Sequence, residues 1–195
     1  MVKLFSRQQA GRLAHSNGEH FERMIESSCY IYKFRNIAFI EKTPEPMKPL
    51  RPYGNGQFVA CFISTAQPDY KGTLKGGQAI CFEAKSTMED KIRFDRVKPV
   101  QLEALKKHKE LGAETFILVG FFNDFAPEYF KIPIAVWENM KELYGRLYIK
   151  KSDIRKYQVK FGTHIEFLPE EGVNRNPCGI TPHPNPLPQG EGIIL

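Results

Sequence analysis

Gln78-Ala79-Ile80-Cys81-Phe82-Glu83-Ala84-Lys85 is the most informative segment of this 195-residue chain. Its residues favour a β-strand, in which alternate side chains share a face. We therefore expect Ile80 and Phe82 to face a core, while Glu83 and Lys85 point together the other way. On an exposed face such a pair is usually a solvated ion pair that adds little stability. Beside a second carboxylate, the same pair becomes a candidate for catalysis.

A second carboxylate, Asp69, precedes that strand, and the glycines at 72, 76 and 77 predict a hairpin between them. The hairpin would bring Asp69 beside Glu83. Two carboxylates on rigid backbone suit Mg²⁺, which proteins usually hold through one or two carboxylates plus substrate phosphate. The Lys85 ammonium would stabilise negative charge on a phosphorus under attack, or help to orient and deprotonate the attacking water. The pattern therefore predicts hydrolysis of a phosphodiester.

The other elements predict an α/β fold. A capping-box pattern at 16–19 and apolar residues at helical spacing predict a first helix over 17–32, and Pro99 and Gly112 bound a second helix. Strands and short helices are expected in the remaining apolar segments. The strands lie at 37–41, 58–64, 78–85, 115–122 and 129–134, and the short helices at 135–143 and 152–157. This order indicates a mixed central sheet flanked by helices.

Two segments rich in Pro and Gly interrupt the regular pattern. We expect residues 44–57 to form a loop or projecting arm and residues 169–195 to form a disordered tail, which leaves 1–168 as one domain. The four cysteines form no CxxC pair, which argues against a zinc knuckle or a redox pair. No apolar run is long enough to span a membrane, and residues 1–15 lack the apolar block of a secretory signal. We therefore expect a cytoplasmic protein with no membrane partner.

The charge is basic, with 28 Lys and Arg against 22 Asp and Glu and a net charge of +6. Such a surplus favours a polyanionic partner such as nucleic acid. The cations gather directly after the candidate strand, in residues 141–160, and in the arm. The candidate DNA-binding residues are Lys48, Arg51, Lys91, Arg93, Arg96, Lys150, Lys151, Arg155 and Lys156.

Five motifs follow one another along the chain. They are Asn17-Gly18-x-x-Phe21-Glu22, Ala38-Phe39-Ile40-Glu41-Lys42-Thr43-Pro44-x-Pro46, Asp69-Tyr70-x-Gly72, Phe82-Glu83-Ala84-Lys85 and, one helix later, Gln101. In this order they resemble the RecU family of Holliday junction resolvases, within the PD-(D/E)xK nucleases of restriction-endonuclease-like fold. The resemblance covers roughly residues 16–135.

The resemblance implies a Mg²⁺-dependent endonuclease, with Mn²⁺ as a substitute, that cleaves four-way DNA junctions as a nucleoid-associated homodimer during recombination and repair. It implies metal ligands at Asp69, Glu83 and Gln101, with Lys85 stabilising the transition state. Gln67 occupies the position of the family's threonine ligand and offers an amide oxygen instead. Glu22 is a candidate accessory carboxylate. By position, the arm corresponds to the stalk that RecU-like dimers insert into the junction.

Two other hypotheses stay open at this stage. The first is a restriction or repair nuclease of the same fold that acts on linear duplex DNA. The second is a non-catalytic DNA-binding or recombination-accessory protein, which the irregular Gln67 favours. Cleavage of junction against linear DNA distinguishes the two nucleases, and metal titration distinguishes both from the accessory protein.

Overall fold

The computed structural model describes residues 7–44, 46–63, 67–123 and 126–169. The helices of this part of the chain are α1 (Arg7–Phe34), α2 (Pro99–Glu110), α3 (Ile134–Glu138) and α4 (Met140–Tyr144), with 3-10 helices at Phe94–Arg96 and Lys151–Tyr157. The strands are β1 (Ala38–Lys42), β2 (Met47–Gly54), β3 (Gln57–Phe62), β4 (Tyr70–Leu74), β5 (Ala79–Thr87), β6 (Lys91–Arg93), β7 (Glu114–Phe121), β8 (Glu128–Pro133), β9 (Tyr148–Lys150) and β10 (Gln158–Val159).

Six of these strands form a central sheet in the order β1-β4-β5-β7-β8-β10. The β5–β7 pair is parallel and the other pairs are antiparallel, so the sheet is mixed. Helix α2 connects the parallel pair, as a crossover must. The predicted α/β fold with a mixed sheet between helices is confirmed.

Strand β5 presents alternate side chains to two cores. Ile80 and Phe82 pack with α1 residues such as Phe21 in one core, whereas Cys81 packs with Leu105 of α2 in the other. Strand β7 is buried along both faces, which explains its uninterrupted apolar sequence. The two candidate site residues of β5 therefore lie on the α2 side of the sheet's central pair.

Helix α1 is longer than predicted, because it begins at Arg7 and not at residue 17. The capping-box pattern at 16–19 lies within the helix, so that interpretation was wrong. Burial explains the error. Phe21 is the first described side chain of α1 that is buried, and the preceding turns lack the apolar periodicity that reveals a helix in a sequence.

The prediction of a loop at 44–57 was wrong, because β2 and β3 pair as an antiparallel ribbon, and the alternative of a projecting arm stays a prediction. Pro49 and Pro52 lie in β2 next to shifts in the pairing register, where a missing N–H is tolerated. Every residue of β2 is exposed. The strand predicted at 58–64 therefore belongs to this ribbon and not to the central sheet.

The hairpin partner of β5 is β4, a strand that is absent from the predicted set. Gly76 and Gly77 do form the turn, with φ of 95° and 93°. Gly72 instead lies within β4, where a Cβ would stand 2.1 Å from the backbone oxygen of Phe39. This glycine lets the edge strand β1 approach closely.

A second small ribbon, β6–β9, follows the end of β5 and was not predicted. None of the helices in the described ranges is long and apolar enough to cross a membrane. The proposed tail lies outside the described residues from position 170 onward.

Candidate active site

Glu83 lies in the middle of β5 and its side chain is completely buried, with 0% exposure. The solvated ion pair considered for the Glu83–Lys85 pattern is therefore excluded. Burial disfavours the charged carboxylate and, with a smaller contribution from the nearby Asp69 charge, raises the pKa of Glu83 to about 8, although Lys85 opposes this. A cation bound next to Glu83 would therefore stabilise its charged form.

Asp69 stands immediately before β4 and reaches across the hairpin to β5. Its Oδ2 accepts a hydrogen bond of 3.0 Å from the backbone N–H of Ala84. Its own backbone N–H lies 3.3 Å from Oε1 of Glu83. The hairpin thus brings the two carboxylates together, as the sequence predicted.

Lys85 lies between the two carboxylates. Its Nζ is 2.7 Å from Oε2 of Glu83 and 3.1 Å from Oδ2 of Asp69, and only 14% of its side chain is exposed. Burial lowers the pKa of Lys85, but the charges of Asp69 and Glu83 outweigh burial and raise it above the usual value. The lysine is therefore held as a cation at neutral pH.

Gln101 reaches the same place from the first turn of α2. Its Nε2 donates a hydrogen bond of 2.6 Å to Oε2 of Glu83, and its Oε1 accepts one of 3.1 Å from the backbone N–H of Lys98. Because a backbone N–H can only donate, the atom facing it must be the amide oxygen. Asp69, Glu83, Lys85 and Gln101 together are called the Glu83 cluster.

The Glu83 cluster has oxygen atoms available for a cation. Oδ1 of Asp69 accepts no hydrogen bond from a described residue, and Oε1 of Glu83 has only the long contact to Asp69. These are hard donors of the kind that Mg²⁺ prefers. Within the described ranges, no group of three or more His, Cys, Asp and Glu side chains is placed to hold a metal. A metal here would need substrate or water oxygens in addition.

Gln67 and Glu22 have partners outside the Glu83 cluster. Oε1 of Gln67 accepts a hydrogen bond of 2.6 Å from Nζ of Lys71, and the side chain is exposed. Glu22 pairs with Nζ of Lys42 at 2.7 Å. Thr65, the other residue considered for the fourth ligand, lies outside the described residues.

The predicted DNA-binding residues fall into three settings. Lys48 and Arg51 lie on the exposed strand β2. Lys91, Arg93, Arg96 and Lys150 surround the β6–β9 ribbon at the end of β5. Lys156 is exposed beside the ring of Tyr157, whereas buried Lys151 and exposed Arg155 both pair with Glu128.

The sequence interpretation missed Lys42 as a neighbour of the site. Lys42 ends β1 and pairs with Tyr70 in register, and its hydrogen bond to Glu22, with smaller contributions from the charges of Glu22, Glu26 and Asp69, raises its pKa. The next residue, Thr43, donates its backbone N–H to the carbonyl of Asp69 at 2.8 Å. The pairing of β1 with β4 places Lys42 and Thr43 beside Asp69, and the local sequence does not show this pairing.

The sequence profile of the RecU family, described as Recombination protein U, matches residues 16–169 of the chain. The chain belongs to the RecU family. The resemblance drawn from the five motifs is confirmed, and the matched range contains every residue of the Glu83 cluster. The mixed sheet of this RecU-family chain agrees with the restriction-endonuclease-like fold that the motifs predicted.

One relative of this RecU-family chain is the Holliday junction resolvase RecU of Streptococcus sanguinis (strain SK36), which is 30% identical over 112 residues. The alignment covers 54% of the chain and 56% of that relative, so it spans little more than half of the relative's length. Among solved structures, Hjc of Archaeoglobus fulgidus, a Holliday junction resolvase from an archaeal hyperthermophile, aligns with a TM-score of 0.42 and 14% identity. That alignment covers 74% of this chain and 92% of Hjc.

Proposed function

We propose that this chain is a divalent-metal-dependent endonuclease that cleaves phosphodiesters in four-way DNA junctions during recombination and repair. The observation that carries the proposal is the Lys85 ammonium, held between the carboxylates of Asp69 and Glu83. Family membership and the resolvase activity named for the Streptococcus relative supply the substrate class.

Asp69 and Glu83 would hold the metal through the carboxylate oxygens that the protein leaves free. Gln101 would complete the set by turning its Oε1 toward the metal, which would give up its hydrogen bonds to Glu83 and from the backbone N–H of Lys98. Mg²⁺ suits these hard oxygen donors, and Mn²⁺ would substitute. When bound, the metal supplies charge stabilisation and lowers the pKa of an attacking water.

Lys85 would act as an electrostatic stabiliser and not as a general base. Its raised pKa keeps the ammonium protonated at neutral pH, so it has no lone pair with which to accept a proton. Its side chain keeps a small exposed fraction, 14%, through which a phosphate could reach the cation. There it would donate hydrogen bonds to phosphate oxygens whose negative charge grows during attack.

The exposed cations would hold DNA through its phosphates. Lys48 and Arg51 on the β2–β3 ribbon, and the basic residues around β6–β9, are the available groups. Resolving a junction requires two symmetric cuts, so we propose a homodimer with two-fold symmetry. For a DNA substrate we also propose a location in the cytoplasm, in association with the nucleoid.

The proposal is tested by cleavage of a labelled four-way junction and a linear duplex, each with Mg²⁺ or with EDTA. Wild type is expected to make paired nicks across the junction only with Mg²⁺. Asp69→Asn removes a metal ligand without reducing positive charge, so it should abolish cleavage and leave junction binding intact or tighter.

Glu103→Gln is the matched control, because it removes one exposed carboxylate of α2 and leaves the Glu83 cluster unchanged. It should cleave like wild type. Equal cleavage by Asp69→Asn would overturn the metal assignment. Preference for linear duplex would indicate a restriction or repair nuclease, and tight binding without cleavage under any metal would indicate an accessory protein.

A further inference from the structure

The β6–β9 ribbon has one apolar face and one basic face. Ile92 and Ile149 stand opposite each other and are buried, with 2% and 0% exposure. Their neighbours Lys91 and Lys150 also stand directly opposite each other and point to the other face, because side chains alternate along a strand. The ribbon thereby joins two cations that are far apart in the sequence.

Two like charges in directly opposite positions destabilise a strand pair. Lys91 has weak partners, Glu89 at 3.7 Å and the ring of Tyr148 at 5.6 Å, and 42% of its side chain is exposed. Lys150 forms no ion pair with any residue in the described ranges. The pair therefore keeps a positive surplus that an external anion would offset.

Arg96 connects this pair of lysines to the Glu83 cluster. Its Nη2 donates to the backbone oxygen of Ser86 at 3.2 Å, and Ser86 directly follows Lys85 in β5. No carboxylate of the described residues pairs with Arg96, in contrast to Arg93, whose Nη2 lies 2.6 Å from Asp95. A guanidinium has five N–H donors, so most of them stay available after the bond to Ser86.

The ribbon is fixed to the end of β5 and cannot be regarded as a loose extension. Thr87 Oγ1 donates to the carbonyl of Lys91 at 3.3 Å, and the N–H of Lys151 donates to the carbonyl of Asp90 at 2.8 Å. Lys91, Arg96 and Lys150 are called the ribbon patch, and these bonds fix the backbone that carries the two lysines to the end of β5.

We propose that the ribbon patch binds the sugar-phosphate backbone of the DNA arm that leads away from the cleaved phosphate. The proposal rests on the proposed function, because it takes the Glu83 cluster as the place of cleavage. Arg96 would bind the phosphate nearest to the cut, with two parallel N–H donors, and the Lys91–Lys150 pair would bind phosphates farther along. The patch would thereby fix which bond of the arm reaches Lys85.

The test compares Lys91→Ala/Lys150→Ala and Arg96→Ala with wild type in EDTA, where fluorescence anisotropy reports junction binding without cleavage. Lys107→Ala/Lys109→Ala is the matched control, because it removes the same charge from the last turn of α2, at the end opposite Gln101. Each lost phosphate contact should lower the slope of log K against log salt by about 0.9. We expect a slope reduction of about 1.8 for the ribbon pair, about 0.9 for Arg96→Ala and almost none for the control.

A second readout places the contact on the DNA. Neutral methylphosphonates at the phosphates beside the cut should weaken wild-type binding about tenfold and should not weaken Arg96→Ala further. Equal slopes for the ribbon and control variants, or full methylphosphonate losses in Arg96→Ala, would overturn the patch. If the wild type binds through the ribbon patch but never cleaves with metal, the proposed endonuclease activity is wrong and the proposed role of the patch stands. Metal-dependent cleavage with unchanged binding by the patch variants would overturn the patch alone.

Discussion

The Glu83 cluster contains two carboxylates and one cation at its centre, whereas Glu128, Lys151 and Arg155 form a cluster with one carboxylate and two cations. In the second group, called the Glu128 cluster, Lys151 Nζ lies 2.5 Å from Glu128 and Arg155 pairs with the other carboxylate oxygen. Both clusters join elements that are distant in the sequence. They differ in the sign of the charge that is left over.

The pKa values of the two carboxylates are shifted in opposite directions. Burial is the largest influence on Glu83 and raises its pKa to about 8. Lys85 opposes this rise but does not cancel it, and the nearby charge of Asp69 adds to it. Burial has the same tendency at Glu128, but the hydrogen bonds and charges of Lys151 and Arg155 outweigh it and lower the pKa. The Glu128 cluster is complete within the protein. The Glu83 cluster costs stability until another cation arrives, which is typical of a functional site.

Replacing Lys85 should have the largest effect. Lys85→Met removes the only ammonium within the Glu83 cluster, and we expect single-turnover junction cleavage to fall about 10³-fold, the scale observed for lost charge stabilisation in a transition state. The carboxylates remain, so calorimetric titration with Mn²⁺ should still show binding.

Lys107→Met, an exposed substitution on α2, is the control for Lys85→Met and should cleave at the wild-type rate. If Lys85→Met cleaved as fast as this control, the lysine would have no role in the transition state. If it lost metal binding altogether, the lysine would be needed to assemble the site.

Replacing Glu83 should stabilise the metal-free protein, contrary to the usual result for a buried residue. Glu83→Gln keeps the shape of the side chain and removes the uncompensated charge. At pH 8 in EDTA we expect a gain of about 2 kcal/mol, seen as a rise in Tm of roughly 4–8 °C in thermal unfolding. A fall in Tm would contradict the charge imbalance that distinguishes the Glu83 cluster.

The pH dependence of stability should show the same imbalance in wild type. Glu83 binds its proton more tightly in the folded state, with a pKa of about 8 against an ordinary value of 4.5. Stability in EDTA should therefore fall as the pH rises from about 5 to 8, because the folded state must give up a proton that it favours. Urea unfolding at several pH values measures this trend, and Glu83→Gln should flatten it. An unchanged pH profile in the variant would assign the trend to other groups.

Replacing Glu128 should have the smallest effect and the opposite sign. Glu128→Gln removes the carboxylate that Lys151 and Arg155 share, and we expect a loss of about 1 kcal/mol, or roughly 2–4 °C in Tm. Junction cleavage at a permissive temperature should remain unchanged. A stability gain like that of Glu83→Gln would remove the contrast between the clusters.

Short-range patterns in the sequence predicted much of the site. The alternation around Glu83, the turn at 76–77 and the proline that starts α2 each depend on a few neighbouring residues, and each was confirmed by the structure. The same patterns failed where local signals were weak or misleading. The prolines of β2 led to the prediction of a loop where the structure has a ribbon, and the polar first turns of α1 gave no signal for the start of the helix.

The DNA-binding candidates show most clearly what local patterns miss. The sequence placed Lys91 and Lys150 in separate basic groups, while the β6–β9 pairing makes them neighbours. It also grouped Lys150 with Lys151, although the first is exposed and the second is buried against Glu128. The ion partner of Lys151 comes from a distant element, so the local sequence does not show that this cation is engaged.

The order of residues alone was sufficient to indicate the α/β class and to bring Asp69, Glu83 and Lys85 together, because strand alternation and turns are local properties of the chain. Gln101 came only from the resemblance to the RecU family, since a glutamine in a helix has no local signal of its own. Tertiary structure alone decided that Glu83 is fully buried, that Lys85 lies between two carboxylates, and which cations stay unpaired. The physical reason is that burial and Coulomb interactions depend on distance in space, and strand pairing sets those distances between residues that the sequence keeps apart.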